Sequence, residues 1–152
     1  MLRLLMVALF MVLLAGCMSP PAGLNLATER LSANEKYRVE IHPLAQPVAI
    51  NKLHAWEIAL HTPAGLAVEH AQIEVGGGMP QHGHGFPTQP RVTRALGDGR
   101  YLIEGMKFSM PGWWEIKLKI AGSAGADEVT FNTVVAVPGA AATAAAAAPL
   151  AR

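Results

Sequence analysis

The stretch Trp113-Trp114-Glu115-Ile116-Lys117-Leu118-Lys119-Ile120 decides how the rest of the chain is read. Trp114, Ile116, Leu118 and Ile120 alternate with Trp113, Glu115, Lys117 and Lys119. A period of two puts successive side chains on opposite faces of a pleated strand, so one face here is apolar and the other charged. That is the pattern of a half-buried antiparallel strand, with Trp114 inside and Trp113 on the opposite face.

The same alternation recurs on both sides. Trp56, Ile58 and Leu60 alternate with Ala55, Glu57, Ala59 and His61, and Val129, Phe131, Thr133, Val135 and Val137 share a face. Shorter strands are expected over Tyr37 to Ile41, Ala71 to Val75, Arg91 to Leu96 and Arg100 to Met106. Turn signals separate them: Thr62-Pro63-Ala64-Gly65, Gly97-Asp98-Gly99, Met110-Pro111-Gly112, and Gly122 to Asp127. Gly97-Asp98-Gly99 is short enough to close a hairpin, because glycine accepts the positive φ that such turns need. About seven short strands without a convincing helix predict an all-β, immunoglobulin-like antiparallel sandwich over residues 35–138. The disulfide of antibody domains is absent, so the likeness is one of architecture.

The N-terminus speaks to location. Arg3 precedes an unbroken apolar run from Leu4 to Leu14, followed by Leu14-Ala15-Gly16-Cys17. The run is too short to span a bilayer, which takes about 20 apolar residues, and it has the flanks of a secretory signal. Small residues at Ala15 and Gly16 beside Cys17, the single cysteine, resemble a lipobox. On that reading residues 1–16 are a signal peptide, Cys17 is the lipidated residue, and the membrane is the first partner through the acyl anchor. The expected localisation is the cell envelope, facing the periplasm or the extracellular side. Residues 17–34, with Ser19-Pro20-Pro21-Ala22-Gly23, read as a flexible tether, with a helical turn or two over Leu24 to Leu31. Residues 139–152, with alanine at nine positions, read as a low-complexity tail.

Composition excludes several functions. The chain carries 12 Lys and Arg against 11 Asp and Glu, and without Arg3 the charge is balanced. No basic run marks a nucleic-acid surface. With the one thiol acylated there is no cysteine nucleophile, and Ser109 and Ser123 lack a Gly-x-Ser-x-Gly elbow or an evident base. Asp98 and Asp127 both fall among glycines, and no acidic pair is set up for acid–base work. Gly76-Gly77-Gly78 lacks the lysine and following helix of a phosphate loop. The chain is therefore expected not to be an enzyme.

One segment departs from strand logic: Gly76-Gly77-Gly78-Met79-Pro80-Gln81-His82-Gly83-His84-Gly85-Phe86-Pro87. It reads as a glycine-rich loop presenting two histidines one residue apart, just after a methionine. Imidazole suits copper, zinc and nickel, and a thioether favours soft Cu(I). A second pair, Met106 and Met110, precedes Trp113, and in a sandwich the two segments could meet at one end. His82, His84, Met79 and Met110 are thus the candidate metal ligands, with copper as the cofactor. Met106 lies in an alternating strand and reads as core. The competing reading makes His82 and His84 ordinary polar loop residues and the methionines apolar plugs. His42, His54, His61 and His70 read as solvated or hydrogen-bonded side chains. Trp113, if outward, would be a binding platform for an envelope partner protein.

Taken in order, these motifs resemble the YtkA-like domain family of exported bacterial proteins. The likeness runs from about Tyr37 to Val137. It rests on Met79-Pro80-x-His82-Gly83-His84-Gly85, on Gly99-Arg100-Tyr101, and on Phe108-x-Met110-Pro111-Gly112-x-Trp114-x-Ile116. The resemblance implies an immunoglobulin-like sandwich, often on a lipoprotein or other membrane-anchored chain, and implies little about activity. The His/Met loop also looks like the sites of small periplasmic copper carriers, without their longer Met-rich spacing.

Overall fold

A computed structural model of the chain describes residues 20–136. The expected signal peptide, Cys17, Val137 and the alanine-rich tail lie outside the described residues. Nine strands follow in order: β1 (Glu29–Leu31), β2 (Arg38–Pro43), β3 (Leu53–His61), β4 (Gln72–Met79), β5 (His84–Gly85), β6 (Arg91–Gly97), β7 (Arg100–Lys107), β8 (Gly112–Gly122) and β9 (Gly125–Val135). They form one five-stranded sheet, β1-β2-β3-β7-β6, and one four-stranded sheet, β5-β4-β8-β9. Every pairing is antiparallel. The two sheets stack as a sandwich, and each expected strand is present.

The decisive stretch behaves as its pattern dictates. β8 and β9 pair in unbroken register from Gly112↔Val135 to Gly122↔Gly125. Trp114, Ile116, Leu118 and Ile120 are at most 1% exposed, while Lys117 and Lys119 are exposed. Against this face packs the other sheet, with Tyr37, Val39, Ile41, Trp56, Ile58 and Ile103 in the same core. In the β6–β7 hairpin Gly97 pairs with Arg100, and Asp98 and Gly99 have φ of 53° and 68°. Two positive φ values in a two-residue loop are what a primed hairpin turn demands.

Four expectations need correction. The tether ends sooner than Asn34, because Glu29–Leu31 is a strand on the edge of β2. No helical turn forms over Leu24 to Leu31; the Thr28 carbonyl instead accepts from the Ile41 N–H at 2.9 Å, and Arg30 donates to the Thr130 carbonyl. The glycines Gly76, Gly77 and Gly78 are not loop but part of β4. At Gly77, φ is 135°, and a Cβ there would stand 2.0 Å from the Glu115 carbonyl oxygen. Glycine within a strand marks such a close approach of backbones. Finally, Asp127 belongs to β9, where it pairs with Ile120, rather than to a turn.

Asp127 holds the end of the sandwich away from the histidines. Its carboxylate accepts from Ser32 Oγ at 2.6 Å, from Asn34 Nδ2 at 2.9 Å and from the Asn34 and Glu128 backbone N–H groups. Burial works to raise its pKa, but the Ser32 hydroxyl, the Asn34 amide and these backbone donors overcome that and hold the group far below the usual carboxylate range.

Candidate metal site

β4 ends at Met79, and Pro80 opens a 3₁₀ turn over Pro80–His82. Proline fits the first position because its fixed φ suits it and its missing N–H is not needed there. Gly83 closes the turn with φ of 65°, and its N–H donates to the Met79 carbonyl at 3.0 Å. The chain then reverses into β5, where Met79 pairs with His84 and Gly78 with Gly85. Directly paired residues of antiparallel strands project to one face, with Cβ atoms about 5 Å apart. Met79 and His84 are therefore neighbours, the first 1% exposed and the second exposed.

The imidazoles of His82 and His84 have ring centroids 5.8 Å apart and planes 30° from parallel. His84 meets Trp114 edge to face at 5.9 Å. Trp114 is held in turn by Phe86, stacked on it at 5.6 Å, and by Phe108, edge-on at 5.3 Å. Its indole N–H donates to the Met110 carbonyl at 3.1 Å. Met79 Cε lies 3.2 Å from where a Cβ on Gly112 would stand. Trp114 is thus the meeting point of the two segments: His84 packs on its ring, and the Met110 carbonyl accepts from its indole N–H.

His84 Nδ1 lies 3.3 Å from the Gly85 carbonyl oxygen. As the donor in that contact it leaves Nε2 with a free lone pair, the usual arrangement for a ligating histidine. Among the described residues no group of three or more His, Cys, Asp or Glu side chains could hold a metal ion. A cavity of about 290 Å³ beside His84 and Gly83 also touches Glu115, but that carboxylate is 3.0 Å from Lys117 Nζ. The donors on hand are two imidazoles and thioether sulfur. Hard cations, which take oxygen ligands, do not fit such a set; a soft ion does.

The remaining residues singled out by sequence sort themselves by position. Met110 is half-buried against the core, and Met106 is fully buried within it. Trp113 is half-buried on the face opposite Trp114, with its indole N–H donated to Asn132 Oδ1 at 2.8 Å. His54 lies 2.8 Å from the Ala49 carbonyl oxygen and tilts against Phe108. Sequence reasoning passed over Phe86 and Phe108 as supports of the site. Their signal was their place, one beside the His loop and the other two residues before Met110.

The family model described as YtkA-like matches residues 32–119. A solved structure of a DUF4426 family protein from Pseudomonas aeruginosa has a TM-score of 0.50 at 15% sequence identity, covering 71% of this chain and 94% of that one. At that identity the likeness is one of fold. No curated protein matches the chain. Since the YtkA-like match spans more than half of the 152 residues and includes both the histidine turn and the Trp114 turn, this chain belongs to the YtkA-like family.

Proposed function

We propose that this protein is a non-catalytic lipoprotein of the cell envelope, anchored through Cys17, that binds copper as Cu(I) and hands it on near the membrane. His82 and His84 supply imidazole nitrogens, and Met79 or Met110 supplies thioether sulfur. The observation that carries the reading is the pairing of Met79 with His84 across β4 and β5, with the His82 ring 5.8 Å from that of His84. Neutral imidazole nitrogens on an exposed turn, with thioether sulfur buried beside them, favour a soft monovalent ion that can be passed on. The aromatic floor of Trp114 and Phe108, both buried, and half-buried Phe86 gives the His84 ring a packing surface through Trp114. His82 sits on the exposed 3₁₀ turn and is the easier one to release.

Anaerobic titration of the protein with Cu(I) against a competing chelator tests this. The unaltered protein should hold one Cu(I), and His82→Ala with His84→Ala should weaken binding at least tenfold. Equal affinity in the two proteins would dismiss the site.

A further inference from the structure

A second feature lies away from the histidines, where the sandwich is not closed. β1 covers β2 only from Arg38 to Glu40, and β2 ends at Pro43, which has no N–H to offer another strand. Beyond β1 the two sheets part around a cavity of about 360 Å³, within the size range of small-molecule sites. Ile41 and Trp56 line it from one sheet, and Ile116, Phe131 and Val135 from the other. All five are core residues, so the cavity reaches the interior and is not a surface dent. At its rim stand Leu26 and Val134, 51% and 43% exposed.

Two observations define what would fill it. None of the lining side chains among the described residues is charged, so an ionised headgroup would find no partner and a neutral molecule is favoured. Trp56, which is 4% exposed, carries a buried Nε1–H without an acceptor, the one buried side-chain polar atom so left among the described residues. Buried indole N–H groups normally find a partner, and an orphan one calls for a source of oxygen. We infer that the cavity binds a neutral, chain-like hydrophobic molecule bearing a carbonyl oxygen, of the acyl ester class. The chain lies along Ile116, Phe131 and Val135, and the carbonyl accepts from Trp56 after a small adjustment of the indole. This site is independent of the copper reading.

Octyl acetate is a suitable probe, with decane as the hydrocarbon of equal carbon number. The full chain is used with Cys17→Ser, in detergent-free buffer, so that no acyl group competes. ¹H–¹⁵N spectra separate the indole N–H resonances of Trp56, Trp113 and Trp114. Octyl acetate should shift the Trp56 indole resonance downfield and saturate, whereas decane should shift the neighbouring methyl groups without that downfield move. Trp56→Phe should weaken octyl acetate about fivefold, the worth of one hydrogen bond, and leave decane unchanged. Ala27→Trp, on the exposed rim, should obstruct both. No saturable shift with octyl acetate would overturn the inference, as would equal loss of both probes in Trp56→Phe. Shifts that track protein concentration without the probe would also overturn it, because a second copy would then fill the cavity.

Discussion

Single residues carry more of this structure than the alternation of apolar and polar positions suggests. Gly77 looks, in sequence, like one more flexible residue in a glycine run, yet its lack of a Cβ is what lets β4 lie against Glu115 and Phe86. Glycine in a loop and glycine under a close backbone approach cannot be told apart from one sequence. Gly77→Ala should therefore lower stability by about 2 kcal/mol or more, because it combines a disfavoured φ with a collision, and it should weaken Cu(I) binding by displacing β5. Denaturant unfolding with a parallel copper titration would register both losses. Met79→Leu separates packing from ligation in the same way. The swap conserves volume and should cost under about 1.5 kcal/mol, while Cu(I) affinity falls severalfold if the sulfur is a ligand. Asp127 is the other residue whose role was hidden, because hydrogen bonds from Ser32 and Asn34, more than 90 positions away, leave no local trace. Its pKa is lower folded than unfolded, so its stabilising contribution is complete above the ordinary carboxylate value near 4 and fades as pH drops below it. Asp127→Ala should lower stability by about 3 kcal/mol at neutral pH, from lost bonds and stranded donors, and should flatten the acid limb of the stability–pH curve. Urea midpoints measured from pH 7 down to pH 2 would check the sign.

At the scale of elements, legibility tracked length and burial. β8 and β9, eleven residues each with one face in the core, were plain from the period of two. β3, β6 and β7 followed from the same pattern and from the glycines at the β6–β7 turn. β1 was missed because three residues with no buried position show no alternation, and β5 because two exposed residues show none. Neither strand rests on its own burial: β1 is held by β2 and by the Arg30 contact with β9, and β5 by β4. Arg30→Ala should accordingly release β1 before anything else. Hydrogen exchange at the Ile41 amide, which donates to Thr28, should quicken by about fivefold, as loss of one hydrogen bond implies. Amides of the β8–β9 ladder should keep their protection. Uniform acceleration across both sheets would mean that β1 is integral to the global unfolding unit instead.

For the whole molecule, sequence supplied the architecture and a set of candidate ligands, but not how the fold arranges them. His82, His84, Met79 and Met110 were named from residue type and spacing. That Trp114 touches both His84 and the Met110 carbonyl depends on how two turns meet at one end of the sandwich, and no local pattern encodes that. The same is true of the cavity beside Trp56, which exists because one edge strand stops early. Anchoring belongs at this scale too: cells fed labelled palmitate should label the unaltered protein, and Cys17→Ser should lose the label. The claim on which the functional account stands is that imidazole nitrogen and thioether sulfur share one copper ion. Copper K-edge absorption of the Cu(I)-loaded protein reads that ligand set directly. A shell containing both imidazole nitrogen and thioether sulfur, with the sulfur contribution reduced in Met79→Leu, is the result predicted; a shell of light atoms alone, unchanged by removal of His82 and His84, would contradict it.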